Sequence, residues 1–242
     1  MTYELYYWPG IQGRAEFVRL ALEEGGAEYR DMALVPEDQG GGIAGLRRFL
    51  SDADVERPPF APPFLKAGRR MIAQTANILL FLGGRLGLAP RDEGGKLWAH
   101  QLQLTIADFV AEIHDTHHPI ASSLYYEQQK PAAKRRSKDF LDNRMPKFLA
   151  YFAAVLARNP ERSGWLIGSS PTYVDLSLAQ VVAGLSYAFP KRSRGALSEH
   201  PELLALHERV FSRPRIERYV RSGRRVPFNE HGLFRRYPEL DE

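Results

Sequence analysis

The period of the apolar positions changes along the chain. Residues 3–8, Tyr-Glu-Leu-Tyr-Tyr-Trp, predict an aromatic-rich strand that Pro9-Gly10 breaks. From Arg14 to Glu24, Ala15, Phe17, Val18, Ala21 and Leu22 fall at helical spacing, and Gly25-Gly26 ends that helix. Tyr29 to Val35 predicts a second strand. Residues 36–57 are polar and glycine-rich, and predict a long loop with a short helix at Ile43–Leu50. A strand ending in Phe64-Leu65-Lys66, a turn at Ala67-Gly68-Arg69 and a returning strand at Arg70–Ala73 follow. Gln74-Thr75 opens a helix to about Leu82, stopped by Gly83-Gly84. Beyond residues 83–93, which read as a linker, the strand signals vanish. Helical patterns fill 94–118, 134–158, 172–187, 200–212 and 214–222.

The order β-α-β-loop-β-β-α places one crossover helix between two parallel strands and then adds an antiparallel hairpin. The chain therefore divides into an α/β domain over residues 1–82, the linker, and an all-helical domain over 94–242. A length of 242 residues suits that division, and 44% apolar with 26% charged residues excludes general disorder. No stretch approaches the roughly 18 apolar residues of a membrane span. The start, Met1-Thr2-Tyr3-Glu4, has neither the basic nor the apolar region of a secretory signal.

Charge and cysteine narrow the chemistry. Basic minus acidic residues give 33 − 29 = +4, and the stretch from Lys191 onward, with 12 basic and 8 acidic residues, carries all of it. Glu199, Glu202, Glu208 and Glu217 are mixed among its arginines, so it reads as a solvated face with arginines pinning the C-terminus, not a nucleic-acid surface. Cysteine is absent. That excludes disulfide exchange, a protein thiolate nucleophile and cysteine-ligated metal, and leaves any sulfur chemistry to a substrate.

Three motifs carry a resemblance. Tyr6-Tyr7-Trp8 is followed by Gly13-Arg14-Ala15-Glu16. Pro63-Phe64-Leu65-Lys66 runs without a gap to Gln74-Thr75. Thr172-Tyr173-Val174-Asp175 has the spacing of a capping box. Together they resemble the cytosolic glutathione transferases of the tyrosine-type classes (mu, pi and sigma), in a bacterial- or fungal-type version. The resemblance touches nearly the whole chain, apart from the loop over 36–59 and the tail after about Ser222. It implies a thioredoxin-like N-terminal domain, a helical-bundle C-terminal domain, and a cytoplasmic homodimer. It further implies attack of the glutathione thiolate on a small hydrophobic electrophile.

The residues it singles out also make chemical sense. A thiol with a pKa of about 8.5 is mostly protonated at neutral pH, and a hydroxyl aimed at its sulfur favours the thiolate. Tyr7 has the place of that hydroxyl, with Trp8 beside it. Gln74 and Thr75 at a helix start offer N–H groups and a positive dipole end to a carboxylate. Arg14 either pairs with a carboxylate or braces Tyr7. Pro63 takes the place of a cis-proline, and the alternative is a cis bond at Ala61–Pro62. In the first register Pro62, which has no N–H, removes one of two backbone hydrogen bonds to the tripeptide and weakens its binding.

By the same resemblance the glycyl carboxylate calls for a basic residue before the hairpin, and Arg47 and Arg48 are nearest, with Arg48 taken into the site. Asp108 resembles an acid that reaches the partner subunit's γ-glutamyl ammonium. His114, Tyr125 and Tyr126 border the electrophile pocket, and Phe228, Phe234 and Tyr237 of the tail approach it. His114 and His118 are one helical turn apart, but without a third ligand at suitable spacing no metal is expected. Glutathione is then the only co-substrate. The rivals are a glutathione-dependent peroxidase or isomerase on this scaffold, and a non-catalytic ligand- or protein-binding module.

Overall fold

The computed structural model describes residues 2–51 and 53–242. Met1, which opens the leader reading, and Asp52, inside the predicted loop, lie outside the described residues. Strand β1 (Tyr3–Tyr6) leads to helix α1 (Ala15–Glu24) and strand β2 (Tyr29–Asp31). Helix α2 (Gly42–Ser51) precedes strands β3 (Phe64–Ala67) and β4 (Arg70–Ala73), and helix α3 (Thr75–Leu86) follows. The sheet order is β2-β1-β3-β4, with β1 parallel to β2 and antiparallel to β3.

Alternation along β1 divides its side chains between two layers. Tyr3, Leu5 and Tyr7 pack with Ala15, Val18 and Leu22 of α1 and with Ile78 and Leu82 of α3. Tyr6 turns to the opposite face, where it joins Phe64, Leu46 and Met32. There its ring stacks on Phe64 at 4.8 Å and meets Phe49 edge-on at 5.0 Å. Such aromatic pairs contribute about 0.5–1.5 kcal/mol each beyond the area they bury.

The helical half comprises α4 (Glu93–Asp115), α5 (Lys130–Asp139), α6 (Met145–Arg158), α7 (Tyr173–Ala188), α8 (Pro190–Ser198), α9 (Pro201–Phe211) and α10 (Pro214–Arg221). Helix α7 is buried nearly all round, as its largely apolar sequence requires. Phe17, Leu20 and Ala21 of α1 and Leu79 of α3 belong to the same core cluster as α7. One continuous core therefore joins the sheet's helices to the bundle. The Thr172–Asp175 capping box forms as its spacing predicts, and Asp175 also accepts the Leu166 N–H at 2.7 Å. Among the described residues no helix is long and apolar enough to cross a membrane.

The structure departs from the sequence expectations at several ends. Strand β2 stops at Asp31, whose carboxylate turns back to Arg19. Helix α3 does not stop at Gly83-Gly84 but runs on to Leu86, so part of the expected linker is helical. Gly83 is there for contact: a Cβ at that position would press on the Tyr173 ring at 2.7 Å. The helix ends at Gly87, whose φ of 69° suits a residue without Cβ. The expected helix over 134–158 begins earlier and contains a π-turn at Phe140–Arg144 between α5 and α6. Helix α8 is unforeseen, because Pro190 reads as a stop after α7 but sits at the first position of a new helix, where it needs no N–H partner.

The arginine-rich end pins the chain. Arg213 meets Glu24, Arg224 meets Glu23 at 2.6 Å, and Arg225 meets Glu16 at 2.9 Å. The remainder of the tail crosses the bundle, packing Phe234 against Gly184. It ends with the Asp241 carboxylate accepting the Lys191 and Arg192 N–H groups at the start of α8.

Candidate active site

Tyr7 lies one residue past the end of β1 and is 6% exposed. Its ring rests on Gly13, where any Cβ would overlap it, and Gly13 has a φ of 49°. Its hydroxyl oxygen accepts the Arg14 backbone N–H at 3.0 Å. The bond occupies the oxygen and leaves the hydroxyl proton for another acceptor. Burial pushes the Tyr7 phenol up, against the lowering effect of the Arg14 N–H and of the Arg14 and Arg19 charges. Tyr7 is thus a protonated donor at neutral pH. The hydroxyl of Tyr6 lies on the other face and donates to Glu4 at 3.1 Å.

The loop that carries Tyr7 into α1 is braced from below. Gln12 donates to the Val226 carbonyl at 2.6 Å and accepts from the Gln180 amide at 2.8 Å. Glu16, fully buried, accepts from Arg225, Arg19 and Tyr219. Arg225 also donates to Gln180 at 2.8 Å, and Asn229 donates to the Gly10 carbonyl at 2.9 Å. Sequence reasoning saw Glu16 only as part of a motif and missed Gln12, Gln180 and Arg225 as its neighbours. No local signal relates Glu16 to Arg225, 209 positions on, or Gln12 to Val226, 214 positions on.

The Pro62–Pro63 bond is cis, which selects the first of the two registers. Pro62 is half-buried and Pro63 buried, directly before β3. Gln74 precedes α3 with a φ of 70°, in the left-handed region that only Gly adopts freely. Non-glycine residues held there cluster at ligand sites. The first helical bond of α3 runs from the Ile78 N–H to the Gln74 carbonyl, so the N–H groups of Thr75, Ala76 and Asn77 precede it.

The other candidates scatter. Trp8 is 37% exposed, and Arg14 is half-buried at the start of α1. Arg48 lies on α2, facing a cavity of about 290 Å³ that Glu4, Tyr6 and Lys66 also line, so it shares the Tyr6 face and not the Tyr7 face. Asp108 is exposed on α4. His114, near the end of α4, is held down at about 4, first by burial and then by the charges of Arg14, His118 and Arg235. Tyr125 is an exposed surface residue, and Tyr126 is buried with its ring stacked on Tyr237 at 3.8 Å. These two tyrosines are therefore not open walls of one pocket, because the tail has covered Tyr126. Phe228 stacks on Tyr187 at 4.9 Å, beside the Asn229 contact to the Tyr7 loop.

Residues 114–223 match a family model described as the glutathione S-transferase C-terminal domain. The sheet and its helices add the other half of the same architecture. The fold is that of the cytosolic glutathione transferases. A curated relative, glutathione S-transferase P 1 of Xenopus laevis, is 26% identical over 92% of this chain and 93% of its own length. The solved Pi-class glutathione S-transferase of Onchocerca volvulus superposes with a TM-score of 0.72 at 21% identity, covering 96% of this chain and 99% of that one. A structure described as prostaglandin synthase D of Nilaparvata lugens superposes with a TM-score of 0.70 at 18% identity, over 94% of this chain and all of that one. Within this transferase fold the Arg14 N–H bonds the Tyr7 hydroxyl while Gly13 packs against the Tyr7 ring, and Pro63 and Gln74 flank the hairpin that pairs with β1.

Proposed function

We propose that this chain is a tyrosine-type glutathione transferase, acting as a cytoplasmic homodimer on small hydrophobic electrophiles. The observation that carries the reading is the buried Tyr7 hydroxyl. Its oxygen is occupied by the Arg14 N–H, so its proton is free to meet a sulfur. In the proposed reaction the glutathione thiol loses its proton to solvent and Tyr7 donates a hydrogen bond to the thiolate. The sulfur lone pair then forms a bond to the electrophilic carbon, and the leaving group departs with the electrons of the broken bond. Each pKa unit by which the thiol is lowered corresponds to about 1.4 kcal/mol of thiolate stabilisation.

The N–H groups opening α3, with Gln74 and Thr75, suit the γ-glutamyl carboxylate. The backbone at Pro62-Pro63 suits the cysteinyl unit. Asp108, exposed on α4, is the acid proposed to reach across to the partner's tripeptide. Phe60, 94% exposed in the loop before β3, supports an assembly in which a second copy covers it.

The test is a titration of bound glutathione by thiolate absorbance, on the wild type and on Tyr7→Phe. The reading requires a thiol pKa lowered by about one unit or more in the wild type and restored in the variant. Glutathione bound without a shift makes the protein a carrier. A second reading, an isomerisation on the same thiolate, draws on the fold shared with the prostaglandin synthase. Substrate profiling separates it, since an isomerase regenerates free glutathione at each turnover and a transferase consumes it.

A further inference from the structure

We propose that His114, His117 and His118 form a three-histidine site for a zinc-like divalent cation, beside Arg14 at the end of α4. Along the sequence His114 and His118 are one helical turn apart, with His117 just before the second. Folding brings in His117: one ring nitrogen from each residue lies within 4.8 Å of the others. The ring centroids are 4.9, 5.1 and 4.8 Å apart. A tetrahedral zinc with bonds of about 2.0–2.1 Å separates its ligand atoms by about 3.3 Å, so ring rotations of ordinary size complete the set.

The tautomers favour it. His117 is 1% exposed, and its Nε2 lies 3.0 Å from the Leu233 carbonyl oxygen. A carbonyl can only accept, so Nε2 carries the proton and Nδ1 presents a lone pair. A ring nitrogen donating to a backbone carbonyl is the usual support of a metal-bound histidine. The Nδ1 of His117 faces the Nδ1 of His118 within hydrogen-bond distance. Without a cation these two nitrogens share one proton, and a cation at that point replaces it.

The donor set selects the ion. Three imidazoles without sulfur suit zinc, copper or nickel more than calcium or magnesium. Three protein ligands leave the fourth position for water or a small anion, as in catalytic zinc sites. The charged groups around the cluster are mixed. Asp115 Oδ1 lies 3.9 Å from His114 Nδ1, and the Arg14 and Arg235 charges act on His114. Arg235 opposes a cation, although its guanidinium is directed at the Gly232 and His231 carbonyls.

The experiment uses the thiol-free full-length protein, so it is independent of the glutathione reading. Zn²⁺ is titrated by calorimetry and Co²⁺ by its visible absorption, on wild type, His114→Ala, His118→Ala and Arg235→Gln. The expected result is one ion per chain and a four-coordinate cobalt spectrum. Each histidine variant should weaken binding by about 100-fold or more, and Arg235→Gln should tighten it. A wild type that binds no Zn²⁺ overturns the proposal. So does undiminished binding by histidine variants that melt like the wild type, or a six-coordinate cobalt spectrum. If the histidine variants fail to fold, the wild-type spectrum and Arg235→Gln decide by themselves.

Discussion

The Tyr7 hydroxyl takes its hydrogen bond from the backbone of Arg14 and not from its guanidinium, at 3.0 Å. The donor is therefore fixed by the start of α1 and does not depend on the Arg14 side chain. With the phenol raised by burial, Tyr7 stays protonated across the range in which a thiol titrates. The rate should rise with pH through a single ionisation, that of the bound thiol. In Tyr7→Phe that ionisation should move up toward about 8.5. Arg14→Ala should leave it nearly in place, and a pH–rate profile on the three proteins checks this.

Gly13 offers an independent probe of the same unit. A methyl group at residue 13 overlaps the Tyr7 ring, and the φ of 49° disfavours any side chain. Gly13→Ala should lower kcat at least about tenfold, the effect of losing roughly 1.4 kcal/mol in the transition state, with a smaller change in KM for glutathione. Steady-state kinetics at saturating glutathione measure it. Unchanged kcat would mean that the position of the Tyr7 ring does not matter.

Pro62 cannot donate a backbone hydrogen bond, in a segment proposed to hold the cysteinyl unit. Pro62→Val restores the N–H. Glutathione affinity should rise by about 2- to 13-fold, the equivalent of one neutral hydrogen bond of roughly 0.5–1.5 kcal/mol. Calorimetric titration of both proteins gives the comparison, and an unchanged Kd would remove Pro62 from the site.

Phe60 tests the assembly. If a second copy covers it, Phe60→Ala should shift the monomer–dimer equilibrium toward monomer by about 1–3 kcal/mol, given the apolar area of a phenylalanine side chain. Sedimentation equilibrium of the two proteins reads the shift. A wild type that is monomeric at all concentrations would refute the homodimer.

Much of the fold was legible because its strands are bounded by strong punctuation. Pro9-Gly10 closes β1, and Gly68-Arg69 turns β3 into β4. The crossover helix α1 carries a clean apolar stripe. What was illegible has physical reasons. Pro190 has the same appearance whether it stops one helix or starts another. Gly83 looks like a breaker but is a contact point for Tyr173. At the site, Tyr7, Pro63 and Gln74 stood out through local motifs, whereas the left-handed backbone of Gln74 did not. Arg48 is near the hairpin in sequence, but the sheet places it on the Tyr6 face, away from Tyr7. The orientation of His117 is not legible, because spacing along the chain does not reveal that its Nε2 is held by the Leu233 carbonyl.

Glu16 is buried among Arg19, Arg225 and Tyr219, all of which donate to its carboxylate. Removing one partner of a buried pair costs about 3–5 kcal/mol. Because Arg19 remains at 3.3 Å, Arg225→Ala should cost less, about 2–3 kcal/mol. The Glu16→Gln/Arg225→Ala double variant should recover part of that loss. Urea unfolding of the four proteins closes the cycle.

The bonds from Gln12 to Val226 and from Arg225 to Glu16 span 214 and 209 positions. On the ribosome, the turn that carries Tyr7 must wait for almost the whole chain before it finds these supports. Contacts of such long range form late and slow folding. A chain cut before Arg225 should form the sheet yet leave the Tyr7 turn without the Gln12 and Glu16 braces, so that turn would set only once residues 225 and 226 are in place.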